Sequence, residues 1–179
     1  ILLTVDDGYN VARAVANTKR LVERENVFMM LGSMGSATGA AVMDYLNANG
    51  VPQLGQLSGA DVFRSPPQKF TVNVRASYAD EAAAMVQAAT DFGFDRVSLL
   101  AQNDTFGFAG RTGLSIALGQ RGLSIYTQGY YDTSSMETSL EEAMAVINAS
   151  RPFPQAIAVF ATSVPTAKFL KLVQEQMPN

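Results

Sequence analysis

Histidine and cysteine are both absent from the 179 residues of this chain. Their absence excludes a Ser-His-Asp triad, a cysteine nucleophile and a zinc site built from the usual ligands. Enzymatic chemistry would have to depend on carboxylate, lysine or tyrosine side chains. The lack of cysteine does not fix the redox compartment, because proteins without disulfides occur on both sides of a membrane.

Long apolar runs and concentrated positive charge are also missing. No run approaches the roughly 20 apolar residues that a membrane-spanning helix requires. The formal net charge is −3 and the basic residues are scattered, so we expect no nucleic-acid partner. A content of 47% hydrophobic and 16% charged residues is ordinary for a globular protein. The chain opens directly on the apolar stretch ILLTV without a signal peptide, and we therefore expect it to be a fragment.

The most informative stretch is VFMMLGSMGSATGAAV, residues 27–42. An apolar run breaks into a turn of glycine and serine and then restarts as an alanine-rich helical segment, which is typical of a buried parallel strand followed by a helix. Gly32 and Gly35 allow the backbone to approach a ligand, and Ser36 is predicted to be the helix N-cap. Because the first N–H groups of a helix attract anions, the turn is predicted to bind one. The alternative is a purely structural turn.

The turn lacks the two common phosphate-binding patterns. A Walker loop needs Gly-Lys-Ser/Thr after its glycines, and the next lysine along the chain is Lys69. The dinucleotide fingerprint fails because Met34 occupies the second glycine position and no acidic residue ends a following strand at the expected distance. A carboxylate is therefore the predicted anion.

Strands alternate with helical segments along the whole chain. The predicted strands are residues 1–5, 27–31, 52–57, 70–75, 97–101, 123–131 and 156–161. This alternation predicts an α/β fold with parallel sheets, whose turns meet at one edge. The pattern is compatible with a single sheet of seven strands and with a crossover into a second lobe at Ala76-Ser77.

Several helix boundaries carry specific signals. Asn49-Gly50 is predicted to end the helix that begins at the turn, and Thr138-x-x-Glu141 has the form of a capping box. Pro165 falls near the first turn of the last helix, where its missing N–H costs little.

Two adjacent aspartates, Asp6 and Asp7, follow the first predicted strand. A solvated loop at a helix start is the preferred interpretation, because acidic residues suit the positive end of the helix dipole. Hard cations need more oxygen ligands than this loop offers. We therefore predict neither a metal nor another cofactor.

Five segments occur in an order and spacing that resemble one family. They are VDDGYN from Val5, GSMGSAT from Gly32, SGA from Ser58, NVRASYADE from Asn73 and DTFGFAG from Asp104. Together they resemble the type I periplasmic binding proteins, specifically the branched-chain amino-acid (leucine/isoleucine/valine) binding group and related extracellular ligand-binding receptor domains. The resemblance implies two Rossmann-like lobes that close on a small ligand about a hinge. Residues 1–76 would belong to the N-terminal lobe and residues 77–179 to the C-terminal lobe, with the fold incomplete at both ends.

The resemblance also implies which residues bind the ligand. Ser36 and the backbone N–H groups after it, beginning with Ala37, would hold the ligand's carboxylate. Ser58 and Gly59, in the neighbouring turn, would complete that contact. Phe106 falls where the family often has a tyrosine that covers the ligand, so the ring contact would remain without the hydroxyl.

Three more residues are implied in the second lobe. Tyr78 lies just after the crossover, and Thr162 and Ser163 end the last predicted strand at a position that faces the cleft. Each of the implied residues has a structural alternative: the hydroxyls could cap helices, and the Phe106 ring could belong to the core.

The expected function is that of a non-catalytic solute-binding domain in the periplasm or outside the cell. It would close on a small carboxylated ligand, preferably an amino acid, and present the closed form to an ABC-type membrane transporter. An amide, a urea or an aromatic carboxylate would suit the visible residues equally. The first alternative is the extracellular sensor domain of a membrane receptor, with a signalling module as partner. The second is a Rossmann-like enzyme that uses Asp6, Asp7 or Asp104 as acid or base.

Overall fold

The computed structural model describes residues 1–177, which divide into two compact units, Ile1–Ser77 and Tyr78 onward. The first unit contains, in chain order, α1 (Val11–Glu23), β1 (Met30–Leu31), α2 (Ser36–Ala48), β2 (Gln53–Leu54) and β3 (Thr71–Val72). The second contains α3 (Tyr78–Asp91), β4 (Val97–Gln102), α4 (Thr105–Gly119), β5 (Gln128–Tyr131), α5 (Met136–Asn148), β6 (Ala156–Phe160) and α6 (Ser163–Gln176). Within residues 1–177, no helix has the length and apolar composition to cross a membrane.

The first unit is built on a parallel sheet in the order β1-β2-β3. Gln53 of β2 lies opposite Met30 on one side and Thr71 on the other. Helices α1 and α2 pack together. The buried cluster beside them consists of Val42, Leu46 and Val51, with Val15, Val22, Met30 and Tyr45 packed against it.

The second unit is built on a parallel sheet in the order β5-β4-β6. All six residues of the central strand β4 are buried, as expected for a parallel strand covered on both faces. Helix α4 packs on α3 and on the sheet, and α5 packs on β5 and α6. The buried cluster joins Leu100, Tyr131, Leu140, Ala143, Met144, Ile147 and Phe169.

The α/β class and the parallel pairing confirm the prediction from sequence, whereas a single seven-stranded sheet is wrong, because the strands form two separate sheets. The first predicted strand, residues 1–5, is also wrong: Ile1, Leu2 and Leu3 are exposed and the segment has no ladder with β1, β2 or β3. A strand exists only where a neighbour pairs with it, and the same limit shortens the strands predicted at 27–31 and 123–131.

The helix-boundary signals have mixed outcomes. Gly50 follows α2 with a φ of +67°, and Pro165 lies in the first turn of α6, as predicted. The predicted capping box is wrong, because α5 begins at Met136 and encloses Thr138. The Ser139 hydroxyl provides the local contacts there: it accepts the N–H of Asp132 at 3.0 Å and donates to the Ser135 carbonyl at 2.9 Å.

Candidate functional site

Two serine hydroxyls lie close together in the turns that follow β1 and β2. Ser36 begins α2, after β1, and Ser58 follows β2. Their Oγ atoms lie 2.7 Å apart, and the two residues are only 1% and 0% exposed. The Ser58 Oγ also accepts the N–H of Ala60 at 3.1 Å. The two hydroxyls carry two protons, of which one is used between the oxygens, so one O–H donor remains for another acceptor.

The start of α2 differs from the prediction by one residue. The N-cap position is occupied by Gly35, with φ of +104° and no side-chain cap, so the assignment of Ser36 as N-cap is wrong. Only glycine tolerates this geometry here: the backbone is in a region that L side chains rarely adopt, and an added Cβ would lie 2.5 Å from the Tyr9 ring. The Ser36 side chain bonds to Ser58 instead. The first N–H groups of α2 therefore receive no side-chain acceptor from the N-cap and have none within the helix.

The two other predicted residues of the first unit flank this hydroxyl pair. Ala37 is half-buried as the second residue of α2, and Gly59 is buried in the turn after Ser58. The structure thus brings all four first-unit predictions into two adjacent turns. Whether they bind a ligand remains a prediction.

Arg64 holds the turn after β2 in place. Its Nη1 donates to the carbonyls of Ser58 (3.3 Å) and Ala60 (3.2 Å), and its Nη2 donates to those of Arg75 (2.7 Å) and Ala76 (3.3 Å). The planar guanidinium suits such a fork, because its donors point in fixed directions. One side chain thereby connects the turn of the hydroxyl pair to the last residues of the first unit. Sequence reasoning missed it, since an arginine in a loop carries no local signal.

In the second unit, two of the predicted residues belong to a group of three aromatic rings. Tyr78 starts α3 and Phe106 lies in the first turn of α4, with ring centroids 5.2 Å apart. Phe160, at the end of β6, lies 6.1 Å from Tyr78 and 6.4 Å from Phe106. Phe106 is half-buried and the other two are buried. Gly110 makes room for the Phe160 ring, since an added Cβ would lie 2.2 Å from it.

Phe160 was missed by sequence reasoning because it continues the apolar pattern of β6 and is indistinguishable there from a core residue. The remaining two predictions, Thr162 and Ser163, follow it. Thr162 is half-buried at the N-cap position of α6 but makes no side-chain cap, and Ser163 is exposed. The structure thus places these two at the end of β6, with Thr162 beside the Tyr131 hydroxyl.

A buried polar chain joins the starts of α4 and α6. Asp104 caps α4 by accepting the N–H groups of Phe106 (2.9 Å) and Gly107 (3.2 Å), and it also accepts the Gln102 amide. The side-chain Oε1 of Gln102 accepts a hydrogen bond from the Tyr131 hydroxyl at 2.7 Å. The Tyr131 hydroxyl oxygen in turn accepts the backbone N–H of Thr162 at 3.4 Å. Burial raises the pKa of Tyr131 above its ordinary value.

The carboxylates considered for acid or base chemistry have local structural partners. Both oxygens of Asp104 are engaged in the chain just described. Asp6 accepts the N–H of Gly8 at 2.8 Å and Asp7 accepts that of Tyr9 at 2.7 Å. The contacts of Asp6 and Asp7 shape turns, and the N–H contacts of Asp104 cap α4. Among residues 1–177, acidic side chains nowhere cluster in threes as a metal ion would require.

The comparisons with known proteins agree on one family. A family model described as "Periplasmic binding protein" matches residues 1–176. No curated protein sequence matches. Among solved structures, a possible leucine/isoleucine/valine-binding protein from Rhodopirellula baltica SH 1 is 29% identical, with a TM-score of 0.92, over 100% of this chain and 49% of its own.

Two further solved structures share the fold. A substrate-binding periplasmic protein from Ralstonia solanacearum is 24% identical with a TM-score of 0.88, over 97% of this chain and 48% of its own. A solute-binding protein of an ABC transporter from R. palustris, in complex with benzoate, is 18% identical with a TM-score of 0.82. The match covers 93% of this chain and 46% of that protein's chain. The present chain spans about half the length of each of these three structures.

Proposed function

The chain belongs to the periplasmic binding protein family, and on this premise we propose that it is part of a solute-binding protein that closes on a small carboxylated ligand. We prefer an amino acid as that ligand, a periplasmic or extracellular location, and an ABC-type transporter as the partner. The neighbour from Rhodopirellula baltica is named for leucine, isoleucine and valine, and the one from R. palustris holds benzoate. These ligands share a carboxylate next to an apolar group.

The observation that carries the proposal is the buried hydroxyl pair at the start of α2. A carboxylate needs several donors that converge from one side. Ser36 and Ser58 retain one hydroxyl proton between them, and the N–H groups of Ser36 and Ala37 point out of the helix at its positive end. Hydrogen bonds to a charged acceptor are the stronger ones, and burial strengthens them further.

The second unit has a candidate ligand contact of its own. We propose that the half-buried Phe106 ring, backed by Tyr78 and Phe160, offers an apolar face to a ligand. Apolar ligand groups favour such aromatic linings. An enzyme is disfavoured, because Asp6, Asp7 and Asp104 serve as acceptors in turns and caps.

The proposal is tested by thermal melting of the complete protein with leucine, other amino acids, their amides, and benzoate. A compound at a hundred times its dissociation constant stabilises the folded protein by about 2.7 kcal/mol, which shifts the melting temperature measurably. We expect a shift with carboxylates and a smaller one with the matching amides. Equal shifts from acid and amide would contradict carboxylate recognition, and no shift with any compound would contradict the proposed function.

Ser36→Ala tests the site itself. Removal of this hydroxyl should weaken binding of the best carboxylate from that panel by about 1.5–3 kcal/mol, the range for a hydrogen bond to a charged group. Calorimetric titration measures the change. Ser115→Ala, an exposed serine of α4, is the matched control and should bind as the wild type does. Unchanged affinity in Ser36→Ala would remove the hydroxyl pair from the binding site.

A further inference from the structure

Two buried glutamine side chains lie beneath the start of α2. Gln53 Nε2 donates to Gln56 Oε1 at 2.6 Å, and Gln56 Nε2 donates to the backbone carbonyl of Gly35 at 2.7 Å. Both residues are 1% exposed. The chain of donors therefore ends on the residue that precedes the first helical N–H of α2.

The hydrogen bond from Gln56 to the Gly35 carbonyl fixes the direction of the next backbone N–H, that of Ser36. In a trans peptide, the carbonyl of one residue and the N–H of the next point in opposite directions. The Gly35 carbonyl accepts both the N–H of Gly39 (3.1 Å) and the Gln56 amide. With that oxygen held from two sides, the N–H of Ser36 is directed away from the helix, beside the hydroxyl pair.

Burial of the Gln53 and Gln56 amides is energetically unfavourable, yet the surrounding residues leave room for them. The side chain of Gln56 occupies space left by Gly39, where an added Cβ would lie 2.4 Å from Nε2. Burying amides is unfavourable unless they are hydrogen-bonded, and the Gln53 Oε1 atom is buried without a partner. Apolar side chains would fill the same volume without that cost, so packing alone does not account for the two amides.

We propose that Gln56 is a positioning residue of the candidate site: it orients the Gly35–Ser36 peptide so that the Ser36 N–H can bind a carboxylate. This inference rests on the proposed function. It gives Gln56 a role in affinity although its side chain does not itself face the bound carboxylate.

Gln56→Glu makes the contact dependent on pH. A neutral carboxyl group can accept from Gln53 and donate to the Gly35 carbonyl, whereas a carboxylate cannot donate and would repel that oxygen. Burial raises the pKa of such a group above its ordinary value of about 4.3. The hydrogen-bond partners of Gln56, Gln53 and Gly35, do not titrate. Arg64, the nearby cation on the same loop, is bonded to other carbonyls.

Leucine and benzoate are titrated calorimetrically into the complete protein between pH 8 and pH 5.5. At pH 8 we expect the Gln56→Glu variant to bind about tenfold more weakly than the wild type, and the ratio of the two affinities should approach one as the pH falls. Taking the ratio at each pH cancels the titration of the probe. A merely structural role would change the melting temperature with pH and leave the affinity ratio constant, which would overturn the proposal.

Two further variants make the result specific. Gly39→Ala should displace the Gln56 amide and weaken binding by a similar factor, without dependence on pH. Gln120→Glu, at an exposed residue after α4, adds the same charge elsewhere and should bind as the wild type does. If Gly39→Ala binds with wild-type affinity, the proposal is overturned. It is also overturned if Gln120→Glu shows the same dependence of affinity on pH as Gln56→Glu.

The nitrogen resonance of the Ser36 amide provides a readout that needs no ligand. In Gln56→Glu it should shift as the new carboxyl group titrates, because the adjoining carbonyl gains or loses its donor. If neither probe binds the wild-type protein, the melting panel decides the proposed function separately, and this resonance still decides the role of Gln56. A Ser36 resonance that does not move with pH in Gln56→Glu would show that Gln56 does not orient the Gly35–Ser36 peptide.

Discussion

The two units of the chain bury their sheets to very different extents. In the second, β4 pairs on both sides over most of its length, and all six of its residues are buried. In the first, the three strands have two residues each, and Leu31 and Val72 are 64% and 52% exposed. The sheet of the second unit therefore gains more stability from apolar burial than the sheet of the first unit does.

The candidate site residues follow the same division. Those of the first unit are hydroxyls and backbone groups held by Gln56 and Arg64, and those of the second include the Tyr78 and Phe106 rings, which contact each other. This contrast leads to a general expectation. Substitutions in the buried core of the second unit should act mainly on stability, and substitutions around Ser36 and Ser58 mainly on binding.

The largest effect is expected from Leu99→Ala in β4. This side chain is 0% exposed, so its truncation leaves a cavity in the core of the second unit. Substitutions of this kind cost about 2–5 kcal/mol of unfolding free energy. Urea unfolding followed by circular dichroism measures the loss.

Leu31→Ala is the matched change in the first unit. Because the Leu31 side chain is largely exposed, the same truncation should change the unfolding free energy by no more than about 0.5 kcal/mol. A loss as large as that of Leu99→Ala would show that β1 is covered in solution and would erase the contrast between the sheets.

Much of this fold could be predicted from the sequence because its signals are local. Helical periodicity and the apolar run of β4 are properties of neighbouring residues, and parallel pairing follows from the alternation of strands and helices. Strand length was less accessible, since it depends on a partner elsewhere in the chain. The segment at residues 1–5 has the composition of a strand but no ladder partner.

The site was predictable to a similar depth. The approach of Ser36 and Ser58 follows from the rule that parallel strands end at one edge. The error of one residue at the helix start arose because Gly35 takes the N-cap position, and its fit against the Tyr9 ring involves residues far apart in sequence. Gln56, Arg64 and Phe160 were missed for the same reason: their contacts, and not their spacing, distinguish them.

An intermediate effect is expected from Tyr131→Phe, which removes the hydroxyl that joins Gln102 to Thr162. The buried carbonyl oxygen of Gln102 loses its donor, at a cost of about 1–3 kcal/mol. The effect also depends on pH. The raised pKa of Tyr131 contributes stability that is fully present below pH 10 and is lost as the pH rises through the folded-state value.

Urea unfolding at pH 8 and pH 11 separates the two parts of this prediction. The wild type should lose more stability between these values than Tyr131→Phe does. Tyr126→Phe is the control, because its hydroxyl bonds to the Pro152 carbonyl in an exposed position. Equal stability of Tyr131→Phe and the wild type at pH 8 would show that the hydroxyl chain does not stabilise the second unit, and equal losses between pH 8 and pH 11 would show that the ionisation of Tyr131 does not matter.

The smallest effects are expected at the surface, where a polar side-chain contact joins a pair of helices in each unit. In the first unit the Tyr45 hydroxyl of α2 donates to Glu23 of α1 at 2.9 Å, and in the second Lys168 of α6 pairs with Glu137 of α5. The hydrogen bond from Lys168, together with its charge, lowers the pKa of Glu137, whereas desolvation and the Glu23 carboxylate raise that of Tyr45. The first contact is therefore lost as the pH rises through the pKa of Tyr45, and the second as the pH falls through the pKa of Glu137.

Lys168→Met isolates the second-unit contact. The lowered pKa of Glu137 contributes stability above pH 4.5 that is lost as the pH falls through the folded-state value, so the variant should return this pKa to its ordinary range and become slightly less stable near neutral pH. Carbon NMR titration of the Glu137 carboxyl measures the shift, which 1 M salt should reduce because the pair is exposed. Lys171→Met, an exposed lysine on the same helix, should leave the pKa of Glu137 unchanged. An ordinary Glu137 pKa in the wild type would show that α5 and α6 are held by their shared core alone, and the dependence of the second unit on apolar burial would then be stronger than proposed.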